Sequence, residues 1–275
     1  MKPPLMLPSY LDAMLAAWGS GRSTRAVHFG LWDSPPGPQE LQTPGAFHRA
    51  QARLDALALG LADVAPGSRV LDVGCGLGGT LEALNQAVRP LNMTGLNVDA
   101  RQLTVCRSLQ PAVASTMAWV QADACALPFA QASFENVLCV EAIFHFARRS
   151  AFLQEVARVL IRGGSLVLTD LRAQRPAGHE AVDQDVEMEI ERDIAAAFGP
   201  WPEFWWDDSA PPPHEGSGLV LVQRLDITLH TLPTHLFTSP RGAPTGDPLA
   251  RGCRALAVLH REGRLRVLAE RYVHR

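Results

Sequence analysis

The sequence predicts an α/β fold, a doubly wound, mostly parallel sheet of seven strands with helices on both faces. Three observations carry this expectation. Short apolar runs alternate along the chain with stretches of helical periodicity, the pattern of strand–helix units that build a parallel sheet. The first run, Val70-Leu71-Asp72-Val73, breaks into Gly74-Cys75-Gly76-Leu77-Gly78-Gly79 and then into a helix-like stretch. The run Phe134 to Val140 is apolar enough to be buried on both faces, as a central parallel strand must be.

A chain of 275 residues, 47% apolar, buries a substantial core and fits one α/β domain with additions. We divide it into an N-terminal cap (1–45), a core with the glycine loop (46–170), an insertion (171–218) and a segment that completes the sheet (219–275). The formal charge of -3 lacks the basic surplus that neutralises phosphates, so a nucleic-acid partner is not expected. Cys75, Cys106, Cys125, Cys139 and Cys253 form no CxxC pair or His/Cys cluster, which argues against a metal site or a disulfide framework. They read as buried thiols in a reducing compartment. The start, MKPPLMLPSY, has prolines where a signal peptide needs an unbroken apolar core, and no run reaches membrane-spanning length. A cytoplasmic protein without membrane contact is expected. Lys2 is the only lysine, which we attribute to genomic GC bias.

Three spaced glycines after a strand let the backbone turn sharply and lie against a ligand, while the following helix offers unpaired N–H groups. Gly74, Gly76 and Gly78 spell GxGxG, and Gly74, Gly76 and Gly79 spell GxGxxG, so the loop alone leaves NAD and S-adenosylmethionine both open. Asp72 places a carboxylate at the strand end, where it can receive an ammonium group; the methionine end of S-adenosylmethionine carries one and NAD does not. The stretch VLDVGCGLGGT resembles motif I of the class I S-adenosylmethionine-dependent methyltransferases, a Rossmann-like family. That resemblance implies contacts from Asp72, Gly74, Cys75, Gly76 and Gly78 to the cofactor, with S-adenosylhomocysteine as product.

The elements follow in order. Pro8 to Trp18 carries Leu11, Met14, Leu15 and Trp18 at helical spacing, and Gly19-Ser20-Gly21 stops it. Val27 to Asp33 is an aromatic loop followed by the proline-rich Ser34 to Pro38; we read it as a flap over the pocket, with His28, Phe29 and Trp32 toward the substrate. HFGLWD resembles the segment before the core in small-molecule methyltransferases. Phe47 to Leu61 is a helix on the sheet, and Leu81 to Val88 continues the helix after the loop. The second strand, Met93 to Val98, ends at Asn97 where the family usually has an acid for the ribose hydroxyls. An amide can serve both hydroxyls, and a minority branch pairs such a residue with a glutamine, here Gln102. The third strand, Ala118 to Asp123, continues into ADACALPF, which resembles the segment where an acid (Asp123) takes the adenine amine and apolar neighbours sandwich the ring; Leu127 and Phe129 keep the site dry, and Val98 and Ala124 are expected among the cofactor contacts. Glu141-Ala142-Ile143-Phe144-His145-Phe146 stands after the fourth strand, with Glu141 on the cofactor side and Phe144 on the substrate side. A helix from Ser150 to Leu160 leads to the fifth strand, Ser165 to Thr169, ending at Asp170; RVLIRGGSLVLTD resembles the family's RVLRPGG segment.

The insertion has Val182, Val186, Ile190 and Ile194 four apart, which predicts a helix from His179 to Phe198. An aromatic cluster with Trp201, Trp205 and Trp206 follows. From His179 to Asp208 there are ten acids against Arg192 alone. Beside those tryptophans they suit either a cationic substrate or a solvated acidic face with tryptophans packed on the core, and we favour the second. A sixth strand is predicted from Leu219 through Asp226 to Leu229, a last helix from Pro248 to Arg261, and an antiparallel closing strand from Leu265 to Val273.

Methyl transfer from a sulfonium needs an acceptor held in line and, for a hydroxyl, a base. His145 and Asp170, at the ends of the fourth and fifth strands, are the candidate catalytic pair; natural-product and sugar O-methyltransferases look similar at both positions. His28 is the weaker base candidate. The expected acceptor is a hydroxyl of an apolar or aromatic secondary metabolite. The rival readings are N- or C-methylation, a cyclase that keeps the cofactor as scaffold, and an NAD-dependent reductase. A homodimer is compatible with all of them.

Overall fold

The computed structural model describes residues 10–33, 37, 39, 41, 43, 45–175, 184–238 and 246–275. The proline-rich 34–38 stretch, for the most part, and the expected helix start at 179–183 lie outside the described residues. Eight strands, β1 (Arg69–Val73), β2 (Asn92–Asn97), β3 (Thr116–Gln121), β4 (Phe134–Val140), β5 (Leu160–Gln174), β6 (Trp205–Trp206), β7 (Leu219–Asp226) and β8 (Leu265–His274), form one sheet. Its order is β3-β2-β1-β4-β5-β8-β7, with β6 beside β5. All pairings through β5 and β6 are parallel, and β8 runs antiparallel to both β5 and β7. The direction of the chain around the sheet reverses between β1 and β4, so the carboxyl ends of these neighbours frame the crevice where ligands of such folds sit.

The helices are α1 (Tyr10–Gly19), α2 (Ala46–Ala62), α3 (Gly79–Ala87), α4 (Ala100–Cys106), α5 (Arg149–Val159), α6 (Gln184–Phe198) and α7 (Pro248–Arg261), with short helical turns at Ile143–His145 and between Thr228 and Thr238. Strand alternation sorts the core into two layers. Val70, Leu138, Val167 and Leu171 pack with Leu54 and Ala58 of α2, Leu81 of α3, Ile194 of α6 and Leu256 of α7. Leu71, Val73, Cys139, Leu166 and Leu168 pack on the other face with Phe152, Leu153 and Val156 of α5.

Three expectations need correction. β5 does not end at Asp170 but continues to Gln174, because β8 pairs with it as far as Ala173 opposite Leu265. The sixth strand stops at Asp226, whose carboxylate accepts from the backbone N–H of Thr228 at 3.1 Å and starts a helical turn instead. Trp205 and Trp206 form an eighth, two-residue strand against Ala173 and Gln174 rather than a loop cluster. The helix of the insertion is present, and Asp193 ties it to α7 through Arg251 at 2.9 Å.

Candidate functional site

The glycine loop turns where β1 ends. Gly74, Gly76 and Gly78 all have positive φ, and a Cβ on Gly74 would lie 2.4 Å from the Cβ of Ala142, just before the turn that carries His145. A Cβ on Gly76 would lie 2.7 Å from Cγ2 of Val27. Glycine at 76 therefore admits the flap, a neighbour the sequence did not reveal. The flap itself is fastened by backbone and side chains. Gln51 donates to the carbonyls of Ala26 (3.0 Å) and His28 (2.9 Å), Gly30 N donates to Thr234 Oγ1 (2.9 Å), and Phe29 N donates to Glu141 Oε2 (2.9 Å). Arg25, just before it, donates to the carbonyl of Leu77 within the loop at 2.9 Å. α1 closes the same end: Asp12 pairs with Arg101 at 2.6 Å, and Tyr10 stacks on His145 with ring centres 6.1 Å apart.

Under this roof lie buried carboxylates. Asp72 sits on the α2 face of β1, with Oδ2 buried and without a hydrogen-bond partner. Glu141, at the end of the adjacent β4, has a left-handed φ of 49° and a buried Oε1 that is likewise unpartnered. A non-glycine residue held in that backbone region is strained, as functional sites often are. Burial pushes both carboxyls up to about 7, and repulsion from Asp55 adds to it. Asp55 of α2 is the residue that sequence reasoning missed. Its signal was a pair of polar residues on the otherwise apolar face of the helix, Gln51 and Asp55 one turn apart and both buried.

Around these acids stand the other expected cofactor residues. Asn97 and Gln102 are buried and joined by an Nδ2–Oε1 hydrogen bond of 2.9 Å, while Asn97 Oδ1 accepts from Asp99 N at 3.1 Å. Asp99 turns away to cap α4 and pair with Arg101. Val98 is an exposed apolar side chain, 40% accessible, and its carbonyl is held by Gln121 at 3.1 Å beside the exposed Asp123. Asp123 uses Oδ1 on Cys125 N at 2.9 Å, and Ala124 is buried behind it. Orphaned acids, positive-φ glycines and an open apolar edge next to a carboxylate fit a ligand with an ammonium at one end and an adenine at the other.

The expected catalytic pair is split. His145 lies on the α2 side of the sheet, its ring against Phe144 (4.5 Å), Trp201 (5.7 Å) and Tyr10, and no side chain among the described residues hydrogen-bonds it. Burial lowers its pKa to about 4, so the imidazole is neutral over the physiological range. Asp170 alternates onto the α5 side. There Arg149 grips both its oxygens (3.0 and 3.1 Å) and Arg172 adds a bond at 2.9 Å. Asp170 therefore does not orient His145; it belongs to a closed ion network that continues through Arg172 to Glu270. His28 is not a free base either, since its ring faces Asp55 at 3.3 Å.

The aromatic residues separate in the same way. Phe144 and Trp201 are buried next to His145, with Trp201 Nε1 buried and unpartnered. Phe29 is half-buried between His235 and His260. Trp32 is wholly buried and stacks on Phe237, so it pins the flap to α2 and does not line a pocket. The faces of Trp206 and Trp205 already hold arginines of this chain, Arg172 at 4.1 Å and Arg175 at 5.2 Å, which removes them from recognition of a foreign cation. Several insertion acids are spent in the same way, Glu187 on Arg175 and Arg264 and Glu203 on Arg149.

Fold and site together define a doubly wound nucleotide-cofactor domain. Residues 71–168 match the family model described as a methyltransferase domain. The chain is 34% identical over 147 residues to an O-methyltransferase of Pyrenophora dematioidea, covering 53% of each. It is 36% identical over 146 residues to a fatty-acid O-methyltransferase of Mycolicibacterium smegmatis, covering 53% of this chain and 52% of the relative. The chain thus spans about half the length of the curated relatives it matches. Among solved structures, a geranyl diphosphate C-methyltransferase from Streptomyces coelicolor A3(2) superposes with a TM-score of 0.73 at 17% identity, over 99% of this chain and 100% of that one. At that identity the likeness is one of fold. Among the described residues no helix is long and apolar enough to cross a membrane.

Proposed function

We propose that this protein is a cytoplasmic S-adenosylmethionine-dependent methyltransferase acting on a hydroxyl of a small secondary metabolite. The observation that carries the reading is the pair Asp72 and Glu141, buried carboxylates on adjacent strand ends whose free oxygens face no protein donor beside the glycine loop. Such groups are costly unless a ligand completes them. Asp72 receives the ammonium, Asn97 and Gln102 trade their mutual bond for the ribose hydroxyls, and Asp123 takes the adenine amine against Val98 and Ala124. When bound, the cofactor supplies a methyl group on a leaving group that is already activated. The chain's own task is then to position the acceptor and remove its proton. His145 has an unprotonated ring and no internal partner, and the indole N–H of Trp201 beside it can hold the acceptor oxygen. Phe144, Trp201 and Tyr10 keep the site dry and suit an apolar or aromatic acceptor. The relatives named O-methyltransferases support oxygen as the atom methylated.

Mass spectrometry of incubations with methyl-labelled S-adenosylmethionine and a pool of hydroxylated metabolites tests this. One component should gain a labelled methyl, and its O-protected derivative should not. Label on carbon or nitrogen would replace the hydroxyl assignment, and tight NAD binding with indifference to S-adenosylmethionine would overturn the reading.

A further inference from the structure

His28 sits beside the acid cluster, and its surroundings favour the charged ring. Nδ1 lies 2.8 Å from the carbonyl oxygen of Phe29, and Nε2 lies 3.3 Å from Asp55 Oδ1. The Phe29 carbonyl only accepts, so Nδ1 carries a proton; Nε2 has no aligned hydrogen bond but stands at ion-pair distance from the Asp55 carboxylate, which favours a second proton there and an imidazolium ring. Burial alone would favour the neutral ring, but Asp55, with help from Glu141 and the Phe29 carbonyl, raises its pKa to about 9. Asp55 spends the same oxygen on the hydroxyl of Thr80 at 2.8 Å. One imidazolium thus faces three carboxylates, from α2, β1 and the end of β4. The other titratable groups beside Asp72 are the thiols of Cys75 in the loop and Cys139 in β4, both held protonated by their surroundings. The cluster is short of positive charge, and two of its oxygens have nothing to bond.

We propose that His28, Asp55, Asp72 and Glu141 act as one proton-sharing unit that exchanges its protons for the ammonium group of the cofactor. This rests on the cofactor assignment above. In the free protein, protons on Asp72 and Glu141 stand in for the missing cation. As R–NH3+ enters, both carboxyls ionise and their protons leave to solvent. Ionised Glu141 then grips the Phe29 amide more strongly and holds the flap down, charged acceptors making the stronger hydrogen bonds. His28 and Asp55 are positioning residues. They touch no ligand, but the imidazolium sets how readily its two neighbours ionise.

Two carboxyls with midpoints of about 7 are each about half protonated at pH 7, so full ionisation releases about one proton per cofactor bound. Calorimetric titration of the wild-type protein with S-adenosylhomocysteine at pH 7, in phosphate and in Tris, reads this from the dependence of the heat on buffer ionisation enthalpy. Release should fall as pH rises through about 7 and drop to about half in Asp72→Asn. 5′-Methylthioadenosine, which keeps adenine and ribose but lacks the ammonium, should bind without releasing protons. His28→Gln should move the pH of half-release upward, whereas a merely structural role would weaken binding and leave that pH in place. Binding of S-adenosylhomocysteine with the same heat in both buffers overturns the exchange and leaves the cofactor assignment standing. No binding of S-adenosylhomocysteine at all overturns the assignment itself.

Discussion

Two buried charge clusters stand on opposite faces of this sheet, built from the same kinds of residue and completed to different degrees. On the α5 face, Asp170 takes three guanidinium hydrogen bonds, and Glu270 takes one each from Arg172 (2.7 Å), Arg224 (2.6 Å) and the Tyr272 hydroxyl (2.8 Å). On the α2 face, Asp55, Asp72 and Glu141 share one imidazolium, and two of their oxygens bond nothing. A buried carboxylate saturated by the chain's own cations holds strands together; one left open next to a flexible-backbone loop is waiting for something else. Completeness of pairing separates scaffold from site here, where residue type does not.

The largest test of this contrast breaks the closed network. Arg149→Met leaves Asp170 underpaired in the core and should cost about 3–5 kcal/mol in urea unfolding, the usual penalty for removing one partner of a buried pair. A loss below about 1 kcal/mol would mean that the network is not what holds this face. His145→Ala should lower kcat by about 10² to 10⁴ with S-adenosylhomocysteine affinity unchanged, since a base acts on the transition state. Because burial places the imidazole at about 4, the acid limb of the kcat profile should fall near that pH and not near neutrality. An acid limb at 6 to 7 would assign the proton to another group. Asp123→Ala should weaken S-adenosylhomocysteine by about 1 kcal/mol, the low end for an unpaired polar partner because the carboxylate is exposed. Equal affinity in wild type and variant would put the adenine elsewhere.

The broadest effect, not tied to one bond, is on stability with pH. Asp72 and Glu141, raised to about 7, bind more protons folded than unfolded between about 4 and 7, so their contribution declines as pH rises through that window. His28, raised to about 9, stabilises fully below about 6.5 and loses that contribution as pH rises through 9. His145 opposes them only between about 4 and 6.5, where the unfolded chain alone is protonated. From pH 6.5 to 9 the melting temperature of the free protein should therefore drop, chiefly as the His28 contribution is lost. S-adenosylhomocysteine should stabilise more at pH 8 than at pH 6. A flat profile would remove the open cluster from the comparison.

Much of the fold was legible. The glycine loop, the doubly apolar run Phe134–Val140 and the helix Pro248–Arg261 are all local signals, set by backbone freedom, burial on both faces and an Asp–Pro helix start. The reach of β5 to Gln174 was not, because it is set by β8, nearly a hundred residues on, whose pairing no local window contains. The site divides likewise. Asp72, Asn97, Val98 and Asp123 lie at or just beyond the carboxyl ends of strands, a placement that local motifs already implied. Asp170 looked equivalent but is turned by strand alternation to the face where Arg149 waits.

By itself the sequence determined which strands are parallel and central and that carboxylates stand at strand ends beside and beyond the glycine loop, since those features depend on residues close together in the chain. Only the tertiary structure decided which charges are complete. That Asp55 and His28 meet Asp72 under the flap, that Trp206 covers Arg172 and that His145 stands apart from Asp170 depend on faces and pairings set across tens to hundreds of residues. Burial and charge compensation, on which the chemistry turns, are properties of those encounters and not of any stretch of chain.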